Sequence, residues 1–119
     1  MTAVVLLHAL PLDERMWEPQ RALLAGREVV APRLYGLGRS MDEWAEETLR
    51  LVDGPFVAVG ASMGGYAALA LARRAPERLR GLLIEGSRPD ADSPERRAGR
   101  ADTIRLIEEG GAPALWESM

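Results

Sequence analysis

The chain has no cysteine and no lysine, a single histidine, and aromatic residues at only 5% of its 119 positions. Without cysteine there can be no disulfide, no thiolate metal site and no cysteine nucleophile. With so few aromatics, a core must be assembled from Leu, Val, Ala and Ile. All 15 basic residues are arginine and the net charge is −3, which leaves no electrostatic footprint for nucleic acid. Apolar runs are short, and none approaches the ~20 residues of a membrane span. The Met1–Leu10 segment lacks the basic start of a secretory leader. A cytoplasmic protein with no membrane partner is therefore expected. At this length one domain is the most the chain can form.

What is present is an alternation of short apolar runs and helical patterns. Ala3–His8 is nearly continuous in apolar and β-branched residues, which suits a strand buried on both faces. Asp13 is placed to cap a helix running to about Ala25, with Met16, Trp17, Ala22, Leu23 and Leu24 toward the core and Gly26 as its stop. Glu28–Ala31 reads as a second strand. Ser40 with Glu43 fits a capping box for a helix to about residue 53, broken by Gly54 and Pro55. Phe56–Gly60 is a third strand, Met63–Ala75 a helix, and Leu79–Glu85 a fourth strand. A last helix is expected from Pro94 to about Glu109, ended by Gly110 and Gly111. Alternating strands and helices predict an α/β fold: a mostly parallel sheet of about four strands with helices on both faces.

One short motif carries chemistry. Gly60-Ala61-Ser62-Met63-Gly64 has the form G-x-S-x-G and lies between a strand and a helix. A serine on such a turn is held in a strained backbone at a helix N-terminus, where free N–H groups favour developing negative charge. A plain Gly/Ser turn has the same letters. The small residues Gly65, Ala67 and Ala68, which let the helix approach the sheet closely, favour the chemical reading. Nucleotide binding is disfavoured, because no G-K-[ST] follows the glycines and no G-x-G-x-x-G follows a strand.

With these segments in place, the sequence resembles the α/β-hydrolase superfamily, closest to its compact esterase- and lactonase-like members. Leu6–Pro11 is similar to the loop after the first core strand, Pro32–Ser40 to the family's P-D-x-x-G-x-G-x-S loop, and Gly60–Gly65 to its nucleophile elbow. The resemblance runs over roughly residues 3–90. It implies Ser62 as catalytic nucleophile and an oxyanion hole of the Met63 and Leu10 backbone N–H groups. It also implies a small acyl compound (ester, lactone or similar) as substrate, with no cofactor and no metal. Residues 1–92 then correspond to the N-terminal part of the core and 93–119 to the start of a helical cap. Two positions depart from the pattern: Ala9 stands where the family has glycine, and Arg33 where it has aspartate.

A serine nucleophile needs a base and a group to orient it. The sole histidine, His8, corresponds to a structural position in the resembled family, whose catalytic histidine lies far toward the C-terminus. Glu85, at the end of the fourth strand, is a candidate acid; Asp90 and Asp92 read as solvated turn residues. The chain is therefore expected to be the N-terminal half of such a fold, ending inside the cap. Left alone, Leu79–Glu85 would be an exposed apolar edge, so it is expected to be covered by a second copy or by a C-terminal half. Two functions compete: a serine hydrolase, and a hydrolase-like module that binds a ligand or partner without turnover.

Overall fold

The computed structural model describes residues 2–119. Four strands, β1 (Ala3–Leu7), β2 (Val29–Val30), β3 (Phe56–Ala61) and β4 (Leu79–Glu85), form one parallel sheet in the order β2-β1-β3-β4. The order makes the chain switch direction: it leaves β1 for one side to form β2, then crosses back to lay β3 on the other. The carboxyl ends of β1 and β3 therefore diverge into loops at a topological switch point, where open α/β sheets place their sites.

The two faces of the sheet are covered unequally. On one face, Ala3, Val5 and Leu7 of β1 and Phe56 and Ala58 of β3 join Ala67, Ala68, Ala70 and Leu71 of helix α3 (Met63–Arg74) in a closed core. Helix α2 (Met41–Arg50) packs on α3 and adds Ala45. Alanines on α3 let its axis come close to the strands, which compensates for the scarcity of large side chains. On the other face lie Val4, Leu6, Val57 and Val59. Helix α1 (Glu18–Leu23) stands over them with a cavity of ≈ 440 Å³ between, lined also by Trp17, Gln20, Leu24 and Arg27.

Most elements begin and end as the sequence predicts. Asp13 accepts from the Arg15 N–H at 3.0 Å, but the turn it opens is a 3-10 helix over Glu14–Trp17, with α1 following as six residues. The predicted inward set is therefore only partly buried. Trp17 is buried, whereas Ala22 is exposed and Leu23 is 86% exposed, because so short a helix cannot seal the face it stands over. Ser40 Oγ accepts from the Glu43 N–H at 3.1 Å. The Glu43 carboxylate does not return to the cap residue; it accepts from the Arg39 N–H one position earlier at 2.6 Å.

The chain divides into two compact units, Met1–Pro89 and Asp90–Met119. The second is helix α4 (Pro94–Ser118), capped by Ser93 Oγ accepting from the Arg96 N–H at 3.2 Å. The expected break is found at Gly111, whose φ of 69° and ψ of −168° leave the helical region, with Pro113 just beyond. Among the described residues no helix is long and apolar enough to cross a membrane.

Candidate active site

The site is built on main-chain geometry. Ser62 leaves β3 at φ 51° and ψ −111° and begins α3 one residue later. It is the one described non-glycine residue with positive φ, a conformation that costs about 1–3 kcal/mol and persists only where its surroundings impose it. Those surroundings are dense. The Ser62 N–H donates to the Glu85 carbonyl at 2.7 Å, and the Ser62 carbonyl accepts from the Gly65 N–H at 2.9 Å. It also accepts from Ser87 Oγ at 2.6 Å. Ser62 itself is exposed.

The glycines of the motif have distinct jobs. A Cβ on Gly60 would lie 2.3 Å from the Gly64 carbonyl oxygen, and one on Gly64 would lie 2.0 Å from the Leu7 carbonyl oxygen and 2.7 Å from that of His8. The first lets the strand pass under the turn. The second lets the start of α3 press against the end of β1. Through Gly64, then, the elbow and the loop carrying Leu10 are neighbours. A Cβ on Gly65 would lie 2.0 Å from Ser87 Oγ.

Ser62 and Met63 thus stand at the strand-to-helix turn, and the loop with Leu10 lies beside it. Leu10 is 37% exposed and precedes a cis peptide to Pro11. Glu85 meets the elbow through its backbone: it is the register partner of Ala61, its carbonyl takes the Ser62 N–H, and its side chain is exposed. In register with Ala61, the Glu85 side chain belongs to the sheet face of Val57 and Val59, opposite the face that carries α3.

His8 is fully buried and fully engaged. Its Nε2 accepts from the Leu34 N–H at 3.0 Å, and its Nδ1 lies 3.0 Å from the Ala9 carbonyl oxygen. That pair of partners is satisfied by a neutral ring protonated on Nδ1. Its ring stands 4.9 Å from that of Tyr35. With both nitrogens committed, it has no lone pair to offer Ser62, in keeping with a structural role.

The same loop is tied down by residues whose role the sequence does not disclose. Arg33 grips Glu14 with two hydrogen bonds of 2.9 Å, and its guanidinium lies 3.6 Å from Asp13. Tyr35 donates its hydroxyl to the Leu12 carbonyl at 2.6 Å. Three consecutive residues, Arg33, Leu34 and Tyr35, therefore hold the segment from His8 to Glu14. Hydrogen bonds from Arg15 hold the Asp13 carboxyl far below the usual carboxylate range, and those from Arg33 lower Glu14. Burial pushes the Tyr35 phenol up from its ordinary value. Arg33, a departure from the resembled loop, has acquired its own partners. The acidic pair at positions 13 and 14 was the available signal. Ser87, in a polar stretch after β4, carries no local signal of its role.

Among the described residues no cluster of three or more His, Cys, Asp or Glu could hold a metal ion.

Comparison with known proteins agrees with this architecture. The model of the alpha/beta hydrolase family matches residues 4–119. A pimeloyl-[acyl-carrier protein] methyl ester esterase of Aromatoleum aromaticum is 33% identical over 93 residues, covering 72% of this chain and 37% of that protein. A 2-hydroxymuconate semialdehyde hydrolase of a Pseudomonas species is 37% identical over 78 residues, covering 55% of this chain and 28% of its own. Among solved structures, a thermophilic esterase from Thermogutta terrifontis superposes with a TM-score of 0.85 at 34% identity, over 100% of this chain and 49% of that one. The chain thus spans between about a quarter and a half of the length of these relatives. The parallel sheet, the strained serine turn and the family match over residues 4–119 together establish that this chain belongs to the alpha/beta hydrolase family.

Proposed function

We propose that the chain supplies the nucleophile-bearing half of a serine hydrolase acting on small esters or related acyl compounds. The observation that carries the reading is Ser62 itself: an exposed hydroxyl on a positive-φ residue at the switch point, held from both sides by main-chain hydrogen bonds. In the reaction, Ser62 Oγ bonds to the substrate carbonyl carbon and its proton passes to a base. The Met63 and Leu10 N–H groups hold the oxyanion. The alcohol departs with a proton from that base, and water then releases the acid from the acyl-enzyme. An ester as substrate is supported by the esterases among the similar proteins.

The single histidine of this sequence is not that base. His8 is enclosed, and a second copy would bring only another His8. The same fact supports the second reading, in which these residues form a hydrolase-like module that binds a ligand or partner without turnover. Its surface is suited to assembly. β4 is an edge strand with Leu82 and Leu83 40% and 55% exposed, and the remainder of a hydrolase fold or a second copy would cover it.

Labelling with a fluorophosphonate probe tests the choice. Labelling of the purified chain that disappears in Ser62→Ala supports an activated nucleophile. A chain that takes no label, alone or mixed with the histidine-bearing half of a related esterase, supports the module.

A further inference from the structure

Ser87 lies just beyond β4, outside the catalytic groups considered so far, yet its hydroxyl reaches the centre of the elbow. Gly86, at φ 69°, turns the chain there, and a Cβ on it would lie 3.9 Å from the Ser62 nitrogen, so the turn passes beside the Ser62 backbone. Ser87 Oγ is 2.6 Å from the Ser62 carbonyl oxygen and 3.4 Å from that of Glu85. The berth it occupies exists because residue 65 is glycine: a Cβ there would sit 2.0 Å from Oγ and 2.7 Å from the Ser87 Cβ. Two features far apart in sequence, Gly65 and Ser87, thus make one contact.

The consequence follows from peptide planarity. The Ser62 carbonyl and the Met63 N–H belong to one rigid trans unit and point in opposite directions. Whatever fixes the carbonyl fixes the N–H. We propose that Ser87 is a positioning residue: by donating to the Ser62 carbonyl it aims the Met63 N–H into the space where the oxyanion develops, and it holds Ser62 in its sparsely populated conformation. This rests on the reading of Ser62 and Met63 given under Proposed function. The Gly65 N–H shares the same carbonyl from the helix side, so the peptide is held between a helix donor and a side-chain donor.

The test compares wild type, Ser87→Ala and Ser87→Thr as full 119-residue chains by amide hydrogen exchange. In Ser87→Ala, exchange at Ser62 and Gly65 should accelerate about fivefold, the loss of one neutral hydrogen bond. Val5 and Ala58 in the sheet should keep their rates, and Ser87→Thr should restore the elbow. Unchanged rates at Ser62 and Gly65 overturn the proposal, as does an equal acceleration at Val5 and Ala58, which is general loosening. If Ser87→Ala does not fold, Ser87→Cys keeps the volume with a weaker donor and is read in the same way. Where wild type takes the fluorophosphonate label, the labelling rate should fall about tenfold in Ser87→Ala with saturation concentration unchanged. A labelling rate that holds while exchange accelerates refutes the aiming of Met63. A wild type that does not label counts against the nucleophile reading, while the exchange result still decides what Ser87 does.

Discussion

Gly64→Ala sets two well-characterised effects against each other. In a helix interior the change should stabilise by about 1 kcal/mol, because alanine loses less conformational freedom on folding than glycine does. At residue 64 the new methyl would meet the Leu7 carbonyl oxygen at 2.0 Å, its carbon at 2.4 Å and the His8 carbonyl oxygen at 2.7 Å. These atoms belong to the backbone at the end of β1 and cannot swing aside as a side chain would. Relief requires α3 to retreat from the sheet by more than an ångström, which opens the closed core along Ala67, Ala68 and Leu71. Overpacking of this kind costs about 1–3 kcal/mol or more. With immovable backbone on one side the upper end applies, so after the helix gain a net loss of about 2 kcal/mol remains. For a unit of this size that lowers the melting temperature by roughly 8–16 °C. Gly99→Ala is the control, since that glycine lies in α4 with nothing within 4 Å of its would-be Cβ. It should raise helix stability by up to about 1 kcal/mol. Thermal unfolding followed by circular dichroism, with urea titration for the free energies, measures both. A Gly64→Ala chain as stable as wild type would refute the claim that α3 is seated directly against β1.

Three further outcomes are expected. Ser62→Gly should stabilise the chain by about 1 kcal/mol by removing the positive-φ strain, seen as a higher urea midpoint, and should abolish whatever fluorophosphonate labelling wild type shows. His8→Ala should cost about 3 kcal/mol in the same titration, because it empties a buried ring site and strands the Leu34 N–H. Acid should weaken the fold through the strap carboxyls. The Asp13 and Glu14 pKa values are depressed on folding, so their contribution is present above the unfolded values near about 4 and is lost as pH falls through the folded ones. Urea midpoints from neutral to acidic pH should therefore fall, and less steeply in Arg33→Gln, with the difference shrinking in 1 M salt as screening would require.

Local sequence carried most of the fold. The strands announced themselves as short apolar runs between turn residues. β1, buried along most of its length, has little reason to alternate, whereas β3 alternates in burial and the edge strand β4 is largely exposed. The elbow was legible for a different reason: Gly60 and Gly64 are demanded by contacts of 2.3 and 2.0 Å, and only one residue type meets such a demand. The inward face of the first helix was less legible. Its periodicity assumed one continuous α-helix, while the chain begins with a 3-10 turn and stops at Leu23. The contacts of Arg33, Leu34 and Tyr35 and that of Ser87 were hidden because their partners lie 19 to 26 residues away, and no local pattern encodes a hydrogen bond across that distance. The departure at Arg33 looked like the loss of a carboxylate; its meaning emerged only once the strand order had brought Glu14 and Asp13 alongside.

The hydrogen bonds described at Ser62 attach to its amide and its carbonyl, and the glycines around it make room for main chain. Such a mount is indifferent to what it carries. A residue unbranched at Cβ, such as cysteine or aspartate, at position 62 would be offered the same main-chain hydrogen bonds, the same helix terminus behind it and the same outward projection, at the same cost in positive φ. Proline cannot adopt that φ, and β-branched residues resist it. Positioning and reactivity are therefore separable here: a change of nucleophile, to a thiol or a carboxylate, is a substitution of one side chain that leaves its framework intact. Selection, or an engineer, can exchange the chemistry at this point without first solving the folding problem again.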